Sequence, residues 1–313
     1  MPRYRARLPQ GQGEFFITDG GIETTLIFHY GLELPSFASF VLVDTPEGQA
    51  ALRRYFQTYT DLARELGVGL VLESPTWRAN TDWGLGLGYS PAALADIDRR
   101  SIALLEEFRA QLDRHGLMSV LSGNMGPRGD GYVPSARMTV TEALEYHRPQ
   151  IESFVGTEAD CVTVLTMNYV EEAVGIVRAA RELAMPVVVS FTVETDGRLP
   201  TGDTLATAIE ETDAATDGYA AYYMINCAHP SHLLGRIDAA GSWHERVRGV
   251  RANASTMSHA ELNESTALDE GDLASFGPLH ADLRRRFPRL SVIGGCCGTD
   301  HRHVERACRA VFA

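Results

Sequence analysis

Apolar runs alternate with amphipathic stretches along nearly the whole chain. The first run, "FFITDGG", carries Asp19 near its end. A helix from about Pro46 to Leu66 follows it, with Leu52, Tyr55, Phe56, Tyr59 and Leu62 at helical spacing. The second run, "VGLVLESP", carries Glu73 at its end and leads to "SPAALADIDRRSIALLEEFRAQLDRHG". There Ser90 suits an N-cap, Pro91 the first helical position and Gly116 the close. "LMSVLSGNMG" with "TVTEALEYHRPQIESFV" makes a third pair, and "CVTVLTM" with "VEEAVGIVRAARELA" a fourth. The fifth is "PVVVSFTV", a polar loop "ETDGRLPTGD" and a helix near Thr204 to Ala215. "AAYYMINCA" and "PSHLLGRIDAA" form the sixth. "RVRGVRANAS", a long polar loop and a helix around Leu273 to Phe287 form the seventh. "LSVIGGCC" and "HRHVERACRAVFA" close the series.

Continuous apolar strands separated by amphipathic helices predict a parallel sheet covered by helices. Eight such units at this length predict the α/β class and a single (β/α)8 TIM barrel. The barrel is expected over residues 15–313, preceded by an N-terminal tail at 1–14. A doubly wound open sheet is the alternative, because strand count alone does not prove closure. The barrel reading directs attention to the C-terminal ends of the strands, where such folds gather their chemistry.

Composition narrows the partners. The chain has 313 residues, 44% of them hydrophobic and 22% charged, as in an ordinary globular protein. Lys+Arg 28 against Asp+Glu 41 gives −13, which argues against nucleic-acid and anionic-membrane partners. No apolar run is long enough to span a bilayer. The start "MPRYRARLPQGQG" has no apolar core of a secretory signal and reads as a frayed tail. Five cysteines, an odd and low count, fit a reducing cytoplasm. Homo-oligomerisation is left open.

The cysteines sort by strand position. Cys161 opens the fourth strand and Cys308 lies within the last helix, so both read as packing. Cys227 ends the sixth strand, and Cys296 and Cys297 end the eighth, on one face of the barrel. Three thiolates converging there make a Zn²⁺ site with a fourth position open, the pattern of a catalytic metal. His229, His301 and His303 lie nearby as further ligand candidates. His301 and His303 are two apart and cannot face the same way on a helix. Two other readings stand beside this one. The Cys296–Cys297 pair makes a non-catalytic thiol or redox sensor, although adjacent cysteines bridge with difficulty. A zinc hydrolase is disfavoured, because an all-thiolate site donates too much charge to acidify water.

With these residues in hand, the chain resembles the zinc-dependent homocysteine S-methyltransferase family. The resemblance rests on Asp19-Gly20-Gly21, "ESPTWRAN" (Glu73 to Asn80), "NMGP" (Asn124 to Pro127), "VETDGRLPTGDTL", Asn226-Cys227 and "GGCCGT" (Gly294 to Thr299). It implies that Cys227, Cys296 and Cys297 hold zinc, and that a small-molecule donor methylates a thiol. The expected pair is a sulfonium such as S-methylmethionine or S-adenosylmethionine and homocysteine, giving methionine; a betaine-like donor or another thiol is the alternative. No second module for cobalamin or folate is present, which favours a free donor. Asp19 is implied to take the acceptor ammonium, with Gly20, Gly21, Asn226 and Asn253 beside it. Glu73 adds a second carboxylate at the mouth, and Trp77, Trp83, Tyr89 and Tyr132 offer aromatic faces to a cationic donor. Two departures bear on the acceptor. Leu165 stands where many members carry a strand-four Glu, and "RANAS" replaces a Tyr-Pro-Asn-like turn, keeping Asn253.

Overall fold

A computed structural model describes residues 2–134, 137–237 and 241–312. Eight parallel strands close on themselves in sequence order, which excludes the open sheet. They are β1 (Phe16–Ile17), β2 (Gly69–Glu73), β3 (Ser119–Met125), β4 (Cys161–Met167), β5 (Val187–Thr192), β6 (Tyr222–Asn226), β7 (Val247–Ala252) and β8 (Val292–Gly295). The short β1 pairs with both β2 and β8 and completes the ring. One principal helix follows each strand: α1 (Pro46–Leu66), α2 (Pro91–Asp113), α3 (Val140–Val155), α4 (Val170–Glu182), α5 (Leu205–Thr216), α6 (Pro230–Leu233), α7 (Leu273–Arg286) and α8 (His301–Phe312). Their starts follow the sequence signals. Ser90 and Thr204 accept backbone N–H groups as N-caps, and Thr139 forms a capping box with Glu142. Among the described residues no helix is long and apolar enough to cross a membrane.

Side chains alternate between the barrel interior and the helix layer, and the interior changes character with height. Phe16, Val71, Val120, Cys161, Val188, Tyr222 and Val292 form an apolar plug in the lower barrel. Two residues further along the strands the groups become polar and pair across neighbours. The Ser122 and Thr163 hydroxyls meet at 2.7 Å, and Ser190 donates to Asn226 Oδ1 at 2.7 Å. Charged Glu73 and Arg251 sit at the mouth. Only paired polar groups tolerate such burial, so this gradient fixes which end can bind ligands.

Three expectations are corrected. The N-terminal segment does not fray. Leu8 joins the lower plug, the backbone N–H groups of Arg3 and Tyr4 donate to Asp160 at 2.7 and 2.9 Å, and Arg5 donates to the Ala159 carbonyl. The sixth helix, read over "PSHLLGRIDAA", is one turn, and residues 238–240 of that stretch lie outside the described residues. The polar loop after β7 contains a helix, His259–Glu264, opened by a Ser258–Glu261 capping box.

Candidate metal and thiol site

Cys227, Cys296 and Cys297 meet at the mouth, with their sulfurs all within 4.8 Å of one another. One ion with metal–sulfur bonds of about 2.3 Å can bridge such a set. In the structure Cys227 and Cys296 are joined as a disulfide across β6 and β8, with Cα atoms 5.4 Å apart, and Cys297 is free. The redox-sensor reading pairs Cys296 with Cys297 instead. Separate strand ends reach bridging distance more easily than neighbours do. Cys297 as a bare thiol is a poor nucleophile: burial, then the Glu23 charge, push its pKa up to about 11. Burial likewise raises Cys161 and Cys308 to about 12, well away from the cluster.

The backbone presents Cys227 deliberately. Its φ of 56° lies in the left-handed region, which costs a non-glycine residue roughly 1–3 kcal/mol. Three hydrogen bonds hold it there. Its N–H donates to the Arg251 carbonyl at 3.1 Å, and its own carbonyl accepts from Asn253 Nδ2 at 3.1 Å and His259 Nε2 at 2.6 Å. His259 is fixed in turn by Glu194 at 2.9 Å and by the stacked ring of Tyr132 at 3.9 Å. The Tyr132 hydroxyl reaches to 4.0 Å from the Cys297 sulfur.

Arg251 occupies the centre of the mouth. It forms ion pairs with both Asp19 and Glu73, and donates to the carbonyls of Gly295 at 3.0 Å and Gly20 at 3.1 Å. Tyr55 also donates to Asp19, at 3.0 Å. These groups, the cysteines, Leu165 and the loops after β1, β3 and β7 enclose a cavity of about 430 Å³, a size suited to small molecules. Five carboxylates (Asp19, Glu23, Glu73, Asp130 and Asp269) line it against two arginines, Arg78 and Arg251.

A sequence model described as homocysteine S-methyltransferase matches residues 16–311. The chain belongs to the homocysteine S-methyltransferase family. No curated protein sequence matches it. Among solved structures, the homocysteine methyltransferase MmuM from Escherichia coli is similar in three forms. The metallated form is 18% identical, covering 95% of this chain and 96% of that one, with a TM-score of 0.68. The oxidised form is 20% identical over 93% and 94%, also at 0.68. The apo form is 18% identical over 96% of each chain, at 0.62. At this identity the likeness establishes a shared fold.

Several positions expected from the family do other work in this member. Asp19 and Glu73 line the cavity but are held by Arg251. Asn226 bonds the Thr166 N–H at 2.9 Å, the Thr166 hydroxyl at 2.9 Å and Ser190, and so ties β4, β5 and β6 together. Asn253 steadies Cys227. Gly20 and Gly21 permit close loop packing: a Cβ would lie 2.6 Å from the Tyr59 hydroxyl at the first and 2.5 Å from the Cys296 carbonyl at the second. The Trp77 and Trp83 faces flank the Arg78 guanidinium at 4.2 and 3.9 Å, and the Tyr89 hydroxyl donates to Asp44, outside the cavity. His229 caps α6, His301 is exposed, and His303 contacts Asp300 and the Glu270 carbonyl, so none of the three lines the site.

Sequence reasoning missed Arg251, His259 and Glu23. A charged residue at an inward position of "VRGVRA" signals the first. "SHAE", a capping box inside a polar loop, signals the helix that delivers the second. Glu23 had no signal beyond its closeness to Asp19-Gly20-Gly21.

Proposed function

We propose that this protein is a zinc-dependent thiol S-methyltransferase of the cytoplasm, transferring a methyl group from a small-molecule sulfonium to a thiol, with homocysteine the first acceptor to test and methionine its product. The observation that carries the reading is the convergence of three cysteine sulfurs on the cavity at the strand ends. The donor set fits zinc, and Cys227, Cys296 and Cys297 in reduced form would hold it. Zinc bound there supplies an acceptor thiol kept as thiolate at neutral pH.

The chain's own residues supply position. Asn253 and His259 fix Cys227 in its unusual backbone conformation, so the sulfur points where the other two can share a ligand. The cavity walls align donor and acceptor, which is the main demand of in-line methyl transfer. The excess of carboxylates over arginines favours a cationic donor through the summed field of the mouth. A second reading is a redox sensor that uses the same clustered thiols.

The test is a thiol panel assayed with S-methylmethionine, S-adenosylmethionine and betaine on zinc-loaded, reduced protein. Methylated thiol with at least one donor supports the transferase. Zinc-loaded protein that methylates no thiol rejects it and leaves the sensor.

A further inference from the structure

The five carboxylates of the cavity are not equivalent. Asp19 and Glu73 share Arg251, whose remaining donors hold the Gly295 and Gly20 carbonyls. Asp269 accepts from the Ser255 hydroxyl at 2.5 Å and the Gly271 N–H at 2.9 Å. Asp130 accepts the N–H groups of Tyr132 and Val133 and so closes its own loop. Glu23 differs from all four. Its Oε1 takes the Ser39 hydroxyl at 2.8 Å, and among the described residues no arginine or histidine forms an ion pair with it. It opens onto the cavity from the turn Ile22–Thr24. That turn is pinned to the cysteine loop, because Thr24 Oγ1 accepts the Gly298 N–H at 3.3 Å and Gly21 abuts the Cys296 carbonyl. The carboxylate therefore stands on the turn that packs against the cysteine loop.

Burial raises the Glu23 pKa, and a buried carboxyl with no ion-pair partner favours a ligand that brings a cation with N–H donors. A sulfonium centre has no N–H to give, whereas an ammonium, carried by an amino-thiol and also by S-methylmethionine and S-adenosylmethionine, has three. Leu165, also in the cavity lining, has a side chain that cannot accept a hydrogen bond.

We propose that Glu23 receives the ammonium group of an amino-thiol acceptor, a role that Asp19 and Glu73, held by Arg251, do not fill. This assignment rests on the thiol methyltransferase reading and names the specificity-determining residue within it.

The experiment measures binding by calorimetry to reduced, zinc-loaded protein, with zinc content determined alongside. The probes are homocysteine, 3-mercaptopropylamine, which keeps the ammonium, and 4-mercaptobutyrate, which lacks it. Wild type should bind the two ammonium-bearing thiols about 10- to 150-fold more tightly than 4-mercaptobutyrate, the range of one charged hydrogen bond. Glu23→Gln should lose most of that preference while keeping its zinc content. Glu23→Asp should restore part of the preference. A preference undiminished in Glu23→Gln, or one that Asp19→Asn abolishes in its place, overturns the assignment. So does a Glu23→Gln effect confined to sulfonium binding, or a wild type with no preference. Zinc-loaded protein that binds no thiol refutes the parent reading instead, so the two failures are distinct.

Discussion

Replacing Arg251 with methionine should destabilise the fold strongly, and more at high pH than at low. The side chain is almost fully buried and is the cation shared by Asp19 and Glu73, which are buried as well. Methionine fills much of the volume but leaves two carboxylates without a partner and frees the Gly20 and Gly295 carbonyls. Removing one member of a buried ionic group typically costs roughly 3–5 kcal/mol. At about 2–4 °C per kcal/mol, or somewhat less in a chain this long, Tm should fall by about 5–15 °C. Burial already raises the Asp19 pKa against the pull of Arg251, and losing that pull raises it further. An acid whose pKa is higher in the folded than in the unfolded state favours folding below its unfolded value. That contribution is lost as pH rises through the folded one. The variant's deficit should therefore be smaller near pH 5 than near pH 8. Urea melts at both values measure it, and Arg251→Met combined with Glu73→Gln should recover part of the loss. A deficit below about 1 kcal/mol at pH 8, or one that grows on acidification, would refute the buried clamp.

The remaining expectations concern the cysteines and their support. Purified, reduced protein should hold about one zinc per chain by elemental mass spectrometry. Cys227→Ser, Cys296→Ser and Cys297→Ser should each lose most of it, while Cys161→Ser and Cys308→Ser should keep it. Asn253→Ala and His259→Ala should each lower zinc affinity or thiol turnover by about 10- to 100-fold without unfolding the barrel, as read by competition with a chelator and by circular dichroism. Protein oxidised at Cys227–Cys296 should take up no zinc until a reductant is added. Uptake by fully oxidised protein, confirmed by thiol counting, would show that the ion is held elsewhere.

How much of this was legible depends on range. The barrel could be read because its strands and most of its helices announce themselves within about twenty residues: "CVTVLTM" is apolar throughout, and Ser90-Pro91 marks a helix start by local chemistry. The cysteine trio could be read because strand ends are local features and the barrel brings all of them to one rim. The Arg251 clamp could not, since Arg251 meets Asp19 across 232 positions and the contact depends on which way each side chain points. The same limit hid the work of Asn226 and Asn253: a family motif marks such residues as important without saying whether they touch a ligand or a neighbour. Here both hold the backbone that aims the ligands. A site built this way separates two duties that a sequence motif runs together. On the proposed reading the cysteines would fix what chemistry the mouth can perform, while Arg251, Leu165 and Glu23 would fix which charge an entering molecule must carry, so the second could change while the first is preserved.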